Sequence, residues 1–169
     1  MIDPKLEKAI SAQINMELQA WYAYLSMSAY CKKLNLNGFA SFMDGHAREE
    51  QAHAHRLMNY VMDRDGTVTL QAISAPQEEF NSLLHVFERS VEQERSNTKS
   101  IYELYELAKQ VNDYSTVAAL QWFLDEQVEE EKVMTEALGL MKFAGEDKSA
   151  LLALNNQFGK QAATTAEAE

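Results

Sequence analysis

The sequence predicts an all-α protein: a four-helix bundle with a long crossover between helices 2 and 3 and a short fifth helix at the C-terminus. Glycine and proline are scarce, at six and two of 169 residues, whereas strong helix formers are plentiful. Apolar residues recur at helical spacing in four long segments. The connection between the second and third segments is long and the others are short, which is typical of a bundle with one crossover.

The first predicted helix begins at Asp3-Pro4, where a capping side chain precedes a proline at the first helical position. It extends to about Lys33 and ends in a turn-prone segment. Apolar side chains cover a wide arc of this helix, with Trp21 and Leu25 beside its main stripe. We therefore expect it to contact another subunit as well as its own core.

The second predicted helix extends from about Phe39 to Asp65, with Gly66 as a left-handed cap. The next segment, 67–76, is β-favouring and too short for a domain linker. We interpret it as a crossover that packs along the bundle.

The third predicted helix spans about residues 82–110, and the fourth begins near Asp113 and extends to Phe143, where Ala144-Gly145 stops it. The crossover makes the first two helices antiparallel and the last two antiparallel. Helices 2 and 3 are then roughly parallel.

A shorter amphipathic helix is predicted over residues 148–158. We find no internal repeat, so residues 1–159 are predicted to form one domain. The tail, 160–169, is rich in Ala, Thr and Glu and is predicted to be flexible.

Composition argues against several classes of function. The net charge of −11 is unsuited to nucleic-acid binding, which needs clustered Lys and Arg. No apolar stretch approaches the roughly 18 residues of a membrane span, and the N-terminus lacks a secretory pattern. A single cysteine, Cys31, fits a reducing compartment. We expect a cytoplasmic protein with no nucleic-acid or membrane partner.

A glutamate lies near the midpoint of each long helix, on the stripe that should be apolar. These residues are Glu17, Glu50, Glu94 and Glu130. The midpoints of antiparallel helices lie at one level, so the four carboxylates can converge. Buried without partners, each would be strongly destabilising, and the stripes place no Lys or Arg there. A pair of divalent cations would neutralise them.

Two further polar residues lie one turn away on the same faces. His53 follows Glu50 in a Glu-x-x-His motif, and Gln127 precedes Glu130 by one turn. A lone Glu-x-x-His is a weak indication of metal, since most are solvated faces or hydrogen-bonded core histidines. Carboxylates with one imidazole favour iron or manganese over a thiolate-type zinc site, and Glu50 can bridge two ions.

This pattern partly matches the known di-iron carboxylate bundles, where two helices give a Glu and two give Glu-x-x-His. Here the fourth helix has Gln127-x-x-Glu130 instead. The matching stretches are Asn15-Met-Glu17-Leu18, Tyr24, the run from His46 to His53, Glu94 and residues 121–132. With these residues the chain resembles the ferritins, specifically the bacterial non-haem ferritins, over nearly its whole length.

The resemblance implies a ferroxidase centre that oxidises Fe(II) with O₂ or peroxide. It assigns Glu17, Glu50 and His53 to the first iron, and Glu50, Glu94 and Glu130 to the second, with Gln127 beside it. It also implies a third iron site at Glu49, Glu126 and Glu129 and a redox-active tyrosine at Tyr24. It further implies a homo-oligomeric shell of 24 subunits that stores ferric mineral.

Haem binding is not expected, because bacterioferritins have a haem-ligating methionine where this chain has Gln51. His46 is interpreted as a buried, hydrogen-bonded histidine rather than a ligand. A rubrerythrin-like oxidase without storage is the main alternative, although one cysteine cannot hold a rubredoxin iron. A metal-free interaction module would leave the four glutamates unexplained, and a DNA-protecting ferritin relative would take its ligands from two subunits.

Overall fold

Five helices make up the computed structural model, which describes residues 2–168 and, for side chains, residues 2–163. The helices are α1 (Pro4–Lys33), α2 (Asn37–Asp63), α3 (Leu83–Gln110), α4 (Tyr114–Ala144) and α5 (Lys148–Ala168). The described residues contain no β-strand. The predicted all-α architecture is confirmed. None of the helices within residues 2–168 is long and apolar enough to cross a membrane.

Side-chain caps set where α1, α3 and α4 begin, and Asp3 and Asp113 illustrate them. Asp3 Oδ1 accepts hydrogen bonds from the backbone N–H groups of Lys5 and Leu6, at 2.9 and 3.3 Å. Asp113 Oδ1 accepts one from the Thr116 N–H at 3.0 Å. These bonds satisfy N–H groups that have no partner within the first turn.

The end of α2 differs from the prediction. The helix ends at Asp63, and the residue with positive φ is Asp65, at 54°, rather than Gly66. The Gly66 N–H donates to the Val61 carbonyl at 2.9 Å and closes the last turn. Aspartate tolerates the left-handed region better than most residues, because its short side chain can hydrogen-bond locally.

The crossover, residues 66–82, forms neither helix nor strand and lies along α1. Gln19 exchanges two hydrogen bonds with the backbone of Ser74, at 3.1 and 2.6 Å. Asn15 Oδ1 accepts another from the Gln71 N–H at 3.0 Å. Side chains of α1 thus supply hydrogen-bond partners to backbone groups of the crossover, which no helix or sheet provides.

The fifth helix continues past its predicted end at Phe158 to Ala168, and it packs mainly against α2. Asn155 Oδ1 accepts hydrogen bonds from the N–H groups of Gly38 and Phe39, at 2.9 and 3.1 Å. The first turn of α2 has no side-chain cap of its own, so α5 supplies one. Flexibility of 160–169 stays a prediction, and Glu169 lies outside the described residues.

Two apolar clusters fill the bundle, and a polar layer separates them. One cluster includes Tyr24, Phe39, Phe87 and Met134, and the other includes Leu6, Leu57, Ile101 and Leu120. Along each of the four long helices, one cluster gives way to the other at the residue predicted to carry a carboxylate. The layer between them contains buried Glu17, Glu50, Glu94 and Glu130.

Candidate metal centre

One group of possible ligands lies between α1 and α2. Ligand atoms of Glu17, Glu50 and His53 lie within 4.8 Å of one another, and all three residues are buried. His53 Nδ1 is 3.8 Å from Glu17 Oε2 and 3.7 Å from Glu50 Oε2. Both distances are too long for a hydrogen bond, so the three atoms face one another across a gap.

Three buried ligand atoms have no hydrogen-bond partner among the described residues: Glu50 Oε2, His53 Nδ1 and Glu94 Oε2. Buried polar atoms are nearly always paired in folded proteins, and each exception needs an explanation. Two of these atoms belong to the group between α1 and α2. A cation bound among them would satisfy atoms that the protein leaves without a partner.

Glu94, on α3, lies against the same layer. Its Oε1 accepts a hydrogen bond from the hydroxyl of Tyr24, which is fully buried. Among the described residues, Glu94 belongs to none of the groups of three ligand atoms within 4.8 Å of one another. Glu94 therefore lies in the polar layer but outside the close group formed by Glu17, Glu50 and His53.

Burial and like charges perturb these carboxyls. Burial raises the pKa of Glu50 well above its usual value, and the charges of Glu94 and Glu17 raise it further. Burial, followed by the charge of Glu130, raises the pKa of Glu94 to about 7, against the lowering effect of the Tyr24 hydrogen bond. The metal-free site therefore holds protons near neutral pH, and a bound cation would displace them.

Tyr24 is fully buried beside these carboxylates. Burial raises the pKa of its hydroxyl well above 10, and the neighbouring charges of Glu94 and Glu50 add to this effect. The hydroxyl therefore keeps its proton and acts as a hydrogen-bond donor to Glu94.

His46 is a hydrogen-bonded histidine, as interpreted from the sequence, and it also carries charge. Its Nδ1 lies 2.9 Å from Glu49 Oε2 and 3.2 Å from Glu130 Oε2. Burial lowers the pKa of His46, but hydrogen bonds to Glu130 and Glu49 outweigh it and raise the pKa to about 10. The sequence does not predict this buried cation, because the charge of His46 depends in part on Glu130, which another helix contributes.

Gln127 lies in the layer, as the sequence predicts, with its amide nitrogen engaged by α3. Nε2 donates to the Glu94 carbonyl at 3.3 Å and to Thr98 Oγ1 at 3.2 Å. Only the amide oxygen remains as a possible ligand atom. Gln127 would therefore be a neutral neighbour of an ion rather than a charged ligand.

The residues assigned to a third ion line a cavity of about 180 Å³. Glu49 and Glu126 are half-buried, and Glu129 is exposed. Glu49 groups with His46 and Glu130, and Glu126 groups with His53 and Glu130, each set within 4.8 Å. Glu129 belongs to neither group and only lines the cavity.

Two amides that were not among the predicted site residues contact Glu17. Gln13 Nε2 donates to Glu17 Oε1 at 2.7 Å, and Asn97 Nδ2 donates to Glu17 Oε2 at 3.0 Å. Both amides are buried. A signal existed for Gln13, which lies one turn before Glu17 on the same apolar stripe.

Four helices contribute carboxylates to the polar layer and α2 adds the imidazole of His53. Three of these ligand atoms have no hydrogen-bond partner among the described residues. This arrangement defines a carboxylate-rich bundle of the ferritin-like class. The chain belongs to the ferritin family, because the family model of the ferritin-like domain matches residues 7–144.

Similar proteins agree with this assignment. A bacterial non-heme ferritin of Staphylococcus aureus strain USA300 is 39% identical over 159 residues, covering 94% of this chain and 96% of that protein. The bacterial non-heme ferritin of Staphylococcus epidermidis is 40% identical over 151 residues, covering 89% and 91%. An open-pore ferritin from the archaeon Archaeoglobus fulgidus has a TM-score of 0.93 and 39% identity, covering 94% of this chain and 98% of that chain. The predicted ferritin-like fold is confirmed.

Proposed function

We propose that this protein is an iron-storage ferritin that oxidises Fe(II) at a centre inside a single chain and stores the Fe(III) product as mineral. One observation carries the proposal: among the described residues, Glu50 Oε2, His53 Nδ1 and Glu94 Oε2 are buried without a hydrogen-bond partner. Membership of the ferritin family and the relatives named as bacterial non-heme ferritins support it.

Two Fe(II) ions fit the ligand set as substrates. Glu17, Glu50 and His53 would bind the first ion. Glu50, Glu94 and Glu130 would bind the second, with Gln127 beside it. Carboxylate oxygens with a single imidazole suit iron better than a soft thiolate-preferring ion. The ions would also neutralise the carboxylates, whose burial and mutual repulsion raise the pKa of Glu50.

The ligands favour oxidation because anionic oxygens stabilise Fe(III) more than Fe(II). Each Fe(II) gives up one electron. Two ions together supply the two electrons that, with two protons, convert O₂ to H₂O₂ or H₂O₂ to two waters. Carboxyls that hold protons near neutral pH can supply some of these protons as the ions bind.

Tyr24 fits the role of a redox-active side chain beside this centre. Its hydroxyl donates to Glu94 Oε1, so an electron lost from the ring can be accompanied by transfer of the hydroxyl proton to that oxygen. Its burial keeps the oxidised ring away from solvent.

Release of the product requires that the centre not hold Fe(III) too tightly. Gln127 places a neutral amide where a charged ligand would bind more strongly. The cavity lined by Glu49, Glu126 and Glu129 adjoins Glu130, and we propose that it holds a third iron on the way out of the centre.

Storage requires a shell, and we propose a homo-oligomer of 24 cytoplasmic subunits. The faces that would form contacts include α1 and the crossover, where Tyr22 and Leu70 are 39% and 58% exposed. Large exposed apolar side chains are typical of contact surfaces when they cluster.

The direct test is Glu50→Ala, which removes the carboxylate shared by both ions. We expect Fe(II) oxidation, followed by absorbance of the ferric product, to slow at least tenfold while size exclusion shows an unchanged assembly. The control is Glu103→Ala, an exposed glutamate on α3, which should oxidise iron normally. Oxidation at the parent rate in Glu50→Ala would refute the proposed centre.

A further inference from the structure

Glu17 is held by a closed ring of hydrogen bonds. Gln13 Nε2 donates to Glu17 Oε1 at 2.7 Å and to Asn97 Oδ1 at 2.6 Å. Asn97 Nδ2 donates to Glu17 Oε2 at 3.0 Å. All three side chains are at most 2% exposed, so water does not compete for these bonds.

The donor and acceptor atoms of the three side chains determine the direction of each hydrogen bond in the ring. Carboxylate oxygens accept hydrogen bonds, and both Gln13 and Asn97 turn their nitrogens toward Glu17. The Gln13 oxygen then faces Ser100, whose hydroxyl donates to it at 2.6 Å. Both N–H bonds of Gln13 and its oxygen are therefore engaged, which leaves this side chain one orientation.

This environment distinguishes Glu17 from the other carboxylates of the layer. Glu50 and Glu94 each have an oxygen that finds no hydrogen-bond partner in the described part of the chain, whereas both oxygens of Glu17 accept a hydrogen bond. Glu17 Oε2 also lies 3.8 Å from His53 Nδ1. Glu17 is thus oriented toward His53 before any ion arrives, while Glu50 and Glu94 are not held in this way.

The donors to Glu17 are neutral, and this matters for binding a cation. A Lys or Arg in the same place would hold the carboxylate, but its charge would repel Fe(II) at short range. Amide N–H groups orient the carboxylate without adding a positive charge beside it. They also occupy one lone pair on each oxygen, which leaves the remaining lone pairs for an ion.

We propose that Gln13 and Asn97 are positioning residues that fix Glu17 for uptake of the first Fe(II), with Ser100 orienting Gln13. This inference rests on the proposed function, since it concerns the same centre. It adds residues from α1 and α3 that contact no ion themselves. Partners of this kind orient metal ligands, and their loss typically weakens metal binding 10–100-fold.

The test uses Asn97→Leu and Gln13→Met in the assembled protein. Each substitution removes one of the two donors to Glu17, and leucine keeps the branching of asparagine while methionine keeps nearly the length of glutamine. Co(II) is the probe, because its visible absorption reports the ligand geometry and it is not oxidised on binding. The matched control is Ser90→Ala. Ser90 is also buried on α3, about one turn before Glu94, and its hydroxyl contacts Met27, Met43 and the Val86 carbonyl rather than a carboxylate.

We expect Co(II) affinity to fall about tenfold in both variants, with a changed visible band, and to stay unchanged in Ser90→Ala. For Fe(II) oxidation, the half-saturating Fe(II) concentration should rise more than the maximal rate falls. Ser100→Ala removes only the hydroxyl that orients Gln13, and its Co(II) affinity should fall about threefold. Because Ser100 is half-buried, Ser100→Ala should assemble, and it tests the positioning role even if the other two variants do not.

Unchanged Co(II) affinity and spectrum in the assembled variants would overturn the positioning role. An equal loss in Ser90→Ala would also overturn it, since the effect would then follow from disturbing α3 in general. Absence of Co(II) binding by the parent protein would instead refute the centre itself. The two proposals therefore fail by different results.

Discussion

Replacing Glu94 with glutamine is expected to stabilise the metal-free protein at pH 8. Glutamine has nearly the same shape, and its Oε1 can still accept the hydrogen bond from the Tyr24 hydroxyl. It lacks the negative charge that burial and Glu130 disfavour. The substitution therefore removes an electrostatic penalty while keeping the packing.

The size of the effect follows from the pKa of Glu94, which rises from 4.5 in the unfolded chain to about 7 in the folded protein. Each pKa unit corresponds to about 1.4 kcal/mol, so the penalty is about 3 kcal/mol at pH 8. A raised carboxyl pKa disfavours the folded state only above the unfolded value. The penalty is absent below pH 4.5, grows up to about pH 7 and is constant above that.

Thermal unfolding of both proteins in a chelator, followed by circular dichroism at pH 5 and pH 8, measures this difference. The midpoint of Glu94→Gln should exceed that of the parent by about 6–12 °C at pH 8. The expected difference in unfolding free energy at pH 5 is less than about 1 kcal/mol. Glu103→Gln, an exposed change on the same helix, should shift neither. A stability difference between Glu94→Gln and the parent that does not depend on pH would refute this prediction. A variant that is less stable than the parent at pH 8 would also refute it.

Three further predictions concern packing, Tyr24 and protons. Gly38→Ala should destabilise the protein by about 1–3 kcal/mol in thermal unfolding, because its Cβ would lie 1.7 Å from the Asn155 carbonyl oxygen. Gly139→Ala, with open space around its Cβ, should not destabilise the protein. Equal destabilisation by the two substitutions would contradict the close approach of α5 to Gly38. Tyr24→Phe should lower Co(II) affinity about tenfold, because it removes a donor to the proposed ligand Glu94. It should also lower the maximal rate of Fe(II) oxidation, because the phenyl ring has no hydroxyl proton to give up; an unchanged maximal rate would contradict the redox role of Tyr24. Co(II) added to unbuffered protein at pH 7 should release protons, detected with an indicator dye, from the carboxyls whose pKa is raised; no release would show that these carboxyls are already ionised.

The long helices were predictable because their signals are local. Asp3 caps α1 as its position before a proline indicates, and Gly145 ends α4 with positive φ. The end of α2 was not predictable from glycine alone, because Asp65 adopts the left-handed conformation one residue earlier. The contact of Asn155 with the start of α2 joins residues far apart in the chain, which periodicity does not reveal.

The glutamates of the polar layer were predictable because each interrupts an apolar stripe at the midpoint of its helix. Their partners were harder to predict. Asn97 reaches Glu17 from another helix, and nothing in the sequence around it indicates that contact. His46 lies on the same stripe as Glu50, but its charge depends on Glu49 and Glu130 both lying within 3.2 Å. Such pairings depend on tertiary packing and become visible only in the folded chain.

The measurement that tests the central claim most directly is aerobic addition of many Fe(II) ions per chain, followed by size exclusion with iron analysis. Storage predicts that iron far beyond the capacity of the binding residues co-elutes with protein in a large shell. Iron that saturates at about two ions per chain would contradict storage and favour an oxidase with a two-metal site. Absence of bound iron would contradict both the centre and the shell.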